Sequence, residues 1–336
     1  MEKILRRKFI KSSGLAAAGA MLCLTNCGES SEKSENGGKS RRTSRSNSRV
    51  AQCRRPEWFT LGEKANPQRI EQLLTKTLQV FFNTQDPRQG LREMFDPNDK
   101  IAVKVNCLSG RNMSTHTQIA WGMVEWLKKI GVNEDNITIW DRADIDLIRG
   151  GYQLNSLKGV KVYGVDSSGF SRELIIHRSI GSFIGKIVER CEKIINLPVL
   201  KDHGIVGVTL SLKNFFGAIH NPYKYHHNNG DPYVADLYSH PLIKDKTVLT
   251  VIDGIAGQYE GGPPPQPQWQ WNFGGLIAGA DPVALDRIGL DIIESLRSEK
   301  GIPSLSEASR YPVYLVTAEE LGLGNYQREN IDLIDG

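Results

Sequence analysis

The segment from Asn196 to Asn228 gathers the side chains of this sequence that are best suited to chemistry. It holds four of the seven histidines of the 336-residue chain. Imidazole nitrogens bind transition metals and transfer protons near neutral pH, and lysine ammonium groups attract carboxylates and phosphates. The candidates are Lys201, Asp202, His203, Thr209, Lys213, Asn214, His220, Lys224, His226 and His227.

Two predicted elements position these side chains. The apolar run 194–197 is typical of a buried strand that Pro198 ends, because proline cannot donate to a central ladder. The segment 208–216 is predicted to be a short helix with Thr209 and Lys213 one turn apart. Polar groups would then emerge where a strand ends and a helix begins, which is where open α/β sheets bind ligands.

The basic residues of this segment predict a pocket for a small anion. Lys201 and His203 are two residues apart, so they share one face if the strand continues past Pro198. With Lys213 and Asn214 they would bind a carboxylate or phosphate, helped by amide donors at a helix N-terminus near Thr209. The alternative is that Lys213 extends its amine into water.

A transition-metal site is a second hypothesis for the histidines. His203 and His220 are the favoured ligands, with Asp202 or Asp231 completing the shell. The spacings match no standard zinc motif, and a polar loop with solvated imidazole rings remains an equal alternative. None of the five cysteines forms a C-x-x-C pair, so the sequence carries no iron–sulfur cluster motif.

Regular alternation of strands and helices predicts an α/β fold. Because the spacings suit right-handed βαβ units, we expect one domain over residues 51–336 with a largely parallel sheet flanked by helices. Asp281 and the following proline are expected to begin a helix as its N-cap and first residue. Predicted strands are 100–105, 136–140, 160–163, 194–197, 248–252, 275–279 and 311–316, and predicted helices are 67–82, 116–130, 184–191, 208–216 and 283–296.

Further polar residues fall at the predicted strand ends. Asn106 and Asp141 follow two neighbouring parallel strands, and Asp253 ends another, where it could be a metal ligand, a general base or the cap of an Asp-Gly turn. The complete predicted site has Lys201, His203, Lys213 and Asp253 as catalytic residues and Asn106, His116, Thr209, Asn214 and Asp141 as ligand-binding residues.

The N-terminus predicts export. Arg6 and Arg7 followed by an apolar pair and Lys11 are typical of a twin-arginine signal, so the export machinery is an expected partner. The apolar run from residue 14 to 24 is too short to span a bilayer, although a basic amphipathic N-terminus or one short membrane helix is the alternative. Cys27 ends a segment similar to a lipoprotein processing box; plain signal cleavage that leaves a free thiol is the alternative.

Residues 28–50 are polar and charged, which predicts a flexible tether. The chain is therefore expected to be periplasmic or membrane-anchored as a lipoprotein, with contact to the membrane only through that lipid. The net charge of +4 comes from the N-terminus, since the first 50 residues carry 11 Lys/Arg and 4 Asp/Glu, leaving 31 and 34 for the rest. Such a body gives no reason to expect nucleic-acid binding.

Several of these motifs together resemble the DUF362 family over residues 100–293. The resemblance implies a fold but no reaction, because the activity of that family is unassigned. Many relatives carry an added ferredoxin domain with cysteine-rich cluster motifs, which this sequence does not contain. The motifs are Lys104-Val-Asn106, Thr115-His116, Lys201-x-His203, Val208-Thr-Leu-Ser-Leu-Lys213-Asn214-x-x-Gly217, Asp253-Gly254 and Ala280-Asp281-Pro-Val-Ala-Leu-Asp286.

The sequence indicates two alternative functions from different classes. The first is an enzyme, metal-dependent in one version, that acts on a small anionic molecule in the predicted pocket. The second is a non-catalytic, membrane-tethered protein that binds a ligand or a partner.

Overall fold

The computed structural model describes residues 47–336. The twin-arginine segment, the box at Cys27 and residues 28–46 of the predicted tether lie outside the described residues. The strands are β1 (Ser48–Arg54), β2 (Ile101–Lys104), β3 (Ile137–Trp140), β4 (Lys161–Val162), β5 (Ile175–His177), β6 (Ile180–Ser182), β7 (Lys193–Asn196), β8 (Val199–His203), β9 (Gly207–Thr209), β10 (Thr247–Gln258), β11 (Gln270–Trp271), β12 (Gly275–Gly279) and β13 (Ile331–Asp335).

Helices alternate with these strands along the chain. They are α1 (Pro67–Phe82), α2 (Arg88–Met94), α3 (Thr117–Lys129), α4 (Asp144–Gly150), α5 (Val165–Ser168), α6 (Lys186–Arg190), α7 (Tyr233–Tyr238), α8 (Pro241–Lys244), α9 (Pro282–Glu299) and α10 (Tyr314–Glu320). Short 3-10 helices include Lys213–Ala218 and Pro222–Tyr225. None of the helices in residues 47–336 combines the length and apolar character needed to cross a lipid bilayer.

The main sheet has the strand order β13-β1-β12-β10-β7-β2-β3-β4, with β8, β9 and β11 attached beside β10. Strands β10, β7, β2, β3 and β4 are all parallel to their neighbours in this series, whereas β12 pairs antiparallel with both β1 and β10. A largely parallel sheet flanked by helices is therefore confirmed.

Alternating side chains place a hydrophobic layer on each face of the sheet. In β2, Ile101 and Val103 pack into the layer that contains the apolar faces of α1 and α3, while Ala102 packs into the layer that contains α6 and α9. The predicted start of α9 is confirmed, because Asp281 Oδ1 accepts the backbone N–H groups of Val283 and Ala284, each at 2.9 Å. Both layers hold the carboxyl ends of the central strands in fixed positions.

Three predicted elements are wrong. The segment 208–216 is not one α-helix: Gly207–Thr209 forms strand β9, which pairs antiparallel with β8 and brings Thr209 opposite Lys201, and a 3-10 helix follows. The predicted strand 311–316 is replaced by α10, and the last strand is β13. Strand β1 begins at Ser48, inside the segment predicted as a tether, because β12 and β13 pair with it on both sides.

Candidate functional site

A cavity of about 300 Å³, which we name the lysine cavity, lies at the carboxyl ends of β2, β3 and β8. Lys104 is the last residue of β2, and Asp141 directly follows β3. Lys201 and His203 share one face, as predicted, but in a separate strand, β8, that begins at Val199 and is not a continuation of β7. The lining residues are Lys104, Asn106, Leu108, Asp141, Arg142, Asp146, Lys201, His203, Ile205, Thr209, Lys213, Asn214, Phe216, Gly217, Pro222, Tyr223, His226 and Pro263.

The ammonium group of Lys104 is fully bonded. Its Nζ donates to Asp141 Oδ1 at 2.7 Å, to Asn214 Oδ1 at 3.2 Å and to the backbone carbonyl of Val105. The other carboxylate oxygen of Asp141 accepts the backbone N–H of Cys107 at 2.6 Å. Since an ammonium group has three donors, this buried ion pair leaves none of the Lys104 donors for a ligand.

The ammonium group of Lys201 also donates three hydrogen bonds, but all three acceptors are neutral. Its Nζ donates to Asn106 Oδ1 at 2.8 Å, to Ser109 Oγ at 2.7 Å and to the backbone carbonyl of Met113 at 3.2 Å. Burial lowers the pKa of Lys201 to about 8. This amine therefore keeps most of its charge at neutral pH without a bonded carboxylate, so it adds positive potential to the cavity.

Two asparagines connect these lysines, and their side-chain amides already form hydrogen bonds within the protein. Asn106 Nδ2 donates to Asn214 Oδ1 at 3.0 Å, and Asn214 Nδ2 donates to Asn196 Oδ1 at 2.8 Å. The predicted ligand-binding residues Asn106 and Asn214 thus lie in the cavity wall, but their amides hold Lys201 and Lys104 in place. Their direct contribution is to orient the cations.

The packing around Gly217 shows why the motif Lys-Asn-x-x-Gly ends in a residue without a side chain. A Cβ atom at this position would lie 3.1 Å from Lys104 Cε and 3.2 Å from Asp141 Oδ1. Those distances are tighter than ordinary van der Waals contact. The absence of a side chain at Gly217 therefore leaves room for the buried Lys104–Asp141 ion pair.

Lys213 differs from the other two lysines of the cavity. Its side chain is buried, at 7% exposure, and its Nζ lies 3.9 Å from the centroid of the Phe216 ring. Within residues 47–336 its amine has no hydrogen bond and no ion pair. Burial, together with the nearby charges of Lys201 and Lys104, lowers the pKa of Lys213 to about 7. This amine alone among the three is available to a ligand.

Two neutral donors lie beside Lys213. His203 Nδ1 accepts the backbone N–H groups of Ile205 at 3.2 Å and Val206 at 3.3 Å, so the proton of the neutral ring is on Nε2. Burial and the charge of Lys213 keep the pKa of His203 well below its usual value, which favours that neutral ring. The hydroxyl of Thr209 is buried and has no hydrogen-bond partner among the described residues.

His226 stacks on His203, with ring centroids 5.4 Å apart. Its Nδ1 lies 3.1 Å from the carbonyl oxygen of Pro222, so Nδ1 carries the proton and Nε2 has a free electron pair. Burial lowers the pKa of His226 to about 4, and this imidazole is therefore neutral at physiological pH.

Asp253 and His116 do not lie in the lysine cavity. Strand β10 continues to Gln258, so Asp253 is inside a strand and not at its end as predicted. Its Oδ2 accepts both the backbone N–H and the Nδ1–H of His116, each at 2.7 Å. Burial lowers the pKa of His116, but the attraction and hydrogen bond to Asp253 outweigh it and raise the pKa overall. The placement of Asp253 in one crevice with His203 and Lys213 is wrong.

The geometry gives no support to the metal hypothesis. His203 lines the cavity, whereas His220 is exposed, lies outside it, and contacts the rings of Phe170 and Phe183. Among the described residues, no group of three or more His, Cys, Asp or Glu side chains could hold an ion. Metal dependence therefore remains a prediction from the sequence.

Several lining residues were not predicted as site residues. Lys104 ends a buried strand, and a lysine in such a strand is itself a signal, because burial of a cation requires a partner. Arg142 and Tyr223 form the rim, with the guanidinium carbon 5.4 Å from the ring centroid, and no sequence pattern connects them. Their meeting depends on contacts between distant segments.

The fold and the cavity together define an α/β protein with a buried cationic site at the carboxyl edge of its sheet. The chain belongs to the family described as Domain of unknown function (DUF362), whose model matches residues 101–291. The family expectation from the sequence is therefore confirmed, and the match spans every lining residue of the lysine cavity.

One sequence relative and one solved structure accompany the family match. The thylakoid-associated protein sll1697 of Synechocystis is 23% identical over 264 residues, which cover 70% of this chain and 74% of that protein. A crystal structure of a Thermotoga maritima protein superposes with a TM-score of 0.40 at 12% identity, covering 72% of this chain and 61% of that one.

Proposed function

We propose that the protein is an enzyme that binds a small organic anion in the lysine cavity. The observation that carries the proposal is the imbalance of charge and donors in its wall. Three cationic side chains and the half-protonated Lys213 line the cavity against two carboxylates, and one of those carboxylates is engaged by Lys104. A bound anion would compensate this excess in a site of low dielectric, where ionic attraction is strong.

The free donors indicate where the anion would bind. Lys213 Nζ, His203 Nε2–H and the Thr209 hydroxyl have no hydrogen-bond acceptor among the described residues, and all three residues are buried. The Thr209 hydroxyl is a buried donor without an acceptor, which is costly, and the Lys213 and His203 side chains line the cavity, so an oxygen-rich ligand group that accepts from them gains binding free energy. A carboxylate or phosphate would accept from Thr209 and His203 and lie in the same cavity as the Lys213 amine.

The remaining wall suits an apolar ligand body. Leu108, Ile205, Phe216, Pro222 and Pro263 supply carbon surface beside the cationic group. Cavities of this volume enclose small molecules whose orientation is set by a few polar contacts. The proposed ligand is thus an organic acid with an apolar or aromatic part.

Isothermal titration calorimetry with phenylacetate, phenylpyruvate, succinate and phenyl phosphate tests the proposal. At least one anion should bind, and its neutral amide or alcohol counterpart should bind at least about tenfold more weakly, since the counterpart lacks the charge. Thr209→Val should weaken binding by about 1 kcal/mol through the lost hydrogen bond.

Thr138→Val is the matched control, because Thr138 lies on β3 outside the cavity. It should leave the affinity unchanged. Equal affinity for the charged and neutral members of each pair, or equal effects of the two threonine variants, would refute the proposed site.

A further inference from the structure

The three lysines of the cavity divide into two kinds by their hydrogen bonds. Lys104 and Lys201 each donate three hydrogen bonds, which is the full number for an ammonium group. Lys213 donates none within the part of the chain that the structure describes and packs against the face of Phe216. The Phe216 ring attracts a cation only weakly, whereas burial and the two neighbouring cations disfavour the ammonium form, so part of the Lys213 population is the neutral amine at neutral pH.

A neutral amine has a lone pair and is a nucleophile. Burial and the two neighbouring cations lower the pKa of Lys213 to about 7, so roughly half of the molecules hold the free amine at that pH. Desolvation together with a second cation is a recognised way of activating a lysine for attack on a carbonyl carbon. Lys201, in contrast, is held by Asn106, Ser109 and Met113 and cannot turn its amine without breaking those bonds.

We propose that Lys213 forms an imine with an oxo acid bound in the lysine cavity. This inference rests on the proposed function and names its substrate class. The carboxylate of the substrate would accept from Thr209 and His203, which lie beside Lys213 in the wall, and this would place the carbonyl carbon at the free amine.

The covalent step balances with solvent protons alone. The Lys213 nitrogen forms a bond to the carbonyl carbon while the π electron pair moves to the carbonyl oxygen, and one N–H proton passes to that oxygen. A proton from solvent then allows the C–O bond to break and water to leave. The product is an iminium ion that keeps one N–H, and the substrate carboxylate compensates its positive charge.

Reductive trapping tests the proposal. The protein is incubated with phenylpyruvate and sodium cyanoborohydride, and the intact mass and the labelled peptide are measured. One adduct per chain should form, and peptide mapping should place it on Lys213. Lys213→Arg should lose the adduct, because the guanidinium remains charged and is a poor nucleophile. Lys224→Arg, a change of an exposed lysine in the same segment, should keep it.

The absence of an adduct on Lys213, or labelling spread evenly over surface lysines, would overturn the proposal. Phenylacetate, which has no ketone, separates the two claims. If it binds and phenylpyruvate forms no adduct, the imine is wrong and the anion site stands. If neither anion binds, both proposals fail. Because the wild-type protein is labelled and mapped directly, this outcome does not depend on whether a variant folds.

Discussion

Lys213→Met is expected to make the protein more stable at neutral pH. The wild-type side chain brings an amine into a buried position where its ammonium form has no acceptor within residues 47–336 and two other cations are near. Burial is the largest cause that lowers its pKa, from 10.5 to about 7. Methionine has a similar length and no charge, so it removes this penalty and fills the same space against Phe216.

The sign of the pH dependence follows from proton counting. Between pH 7 and 10.5 the unfolded chain holds the Lys213 proton and the folded chain does not, so the free energy of unfolding of the wild type rises with pH in that window. The free-energy cost of burying the Lys213 charge is complete below pH 7 and vanishes above pH 10.5. At pH 7 the variant should be more stable by about 2 to 4 kcal/mol, and the gap should close toward pH 10.

Urea unfolding at pH 6, 7, 9 and 10 measures this gap. Lys224→Met is the control, since Lys224 is exposed and its replacement should give no pH-dependent difference. A Lys213→Met variant that is less stable than the wild type at pH 6 would show that the ammonium group has a stabilising partner in solution.

Of the variants proposed for the lysine cavity, Asp141→Asn should lower the free energy of unfolding most. It removes the charge that compensates Lys104, whose side chain is 1% exposed, and weakens the acceptor of the Cys107 amide. Breaking a buried ion pair from one side leaves an uncompensated charge, which typically costs about 3 to 5 kcal/mol. The shift in the urea midpoint at unchanged slope measures the loss.

Two comparisons separate charge from packing. Asp146→Asn changes another carboxylate of the same cavity that has no bonded lysine, and should cost less than about 1 kcal/mol. The double variant Lys104→Met, Asp141→Asn removes both charges and should recover most of the loss. Equal destabilisation by the two single Asp variants would contradict the role assigned to the Lys104–Asp141 pair.

The sequence predicted the parts of the site that depend on local pattern. Parallel strands present their carboxyl ends at one edge, which brings Asn106 and Asp141 to the cavity. Alternation along β8 places Lys201 and His203 on one face. The first rule needs only the strands that the apolar runs predict. The second applies to β8, which begins at Val199 and is not among the predicted strands.

The wrong element predictions and the missed site contacts depend on interactions between segments that are distant in sequence. The apolar spacing in 208–216 fits a helix, but hairpin pairing with β8 satisfies the backbone of Gly207–Thr209 in extended form. Strand β10 extends past Asp253 because β8, β11 and β12 all pair with it. The bonds of Lys104 to Asp141 and Asn214 join residues 37 and 110 positions apart, which no local pattern reveals.

Export by the twin-arginine route, acylation of Cys27 and a periplasmic location concern residues outside the described part of the chain. They stay predictions that rest on the sequence motif alone.

The charge state of Lys213 is the property on which the proposed chemistry depends most directly. Carbon-13 NMR of protein labelled at the lysine Cε positions, titrated from pH 5 to 11, measures it. We expect two shifted lysine resonances: one titrates near pH 7 and disappears in Lys213→Met, and the other, from Lys201, titrates near pH 8 and remains in that variant. If the resonance that disappears in Lys213→Met titrates above about pH 9, as ordinary exposed lysines do, Lys213 holds no free amine at neutral pH and the proposed chemistry is wrong.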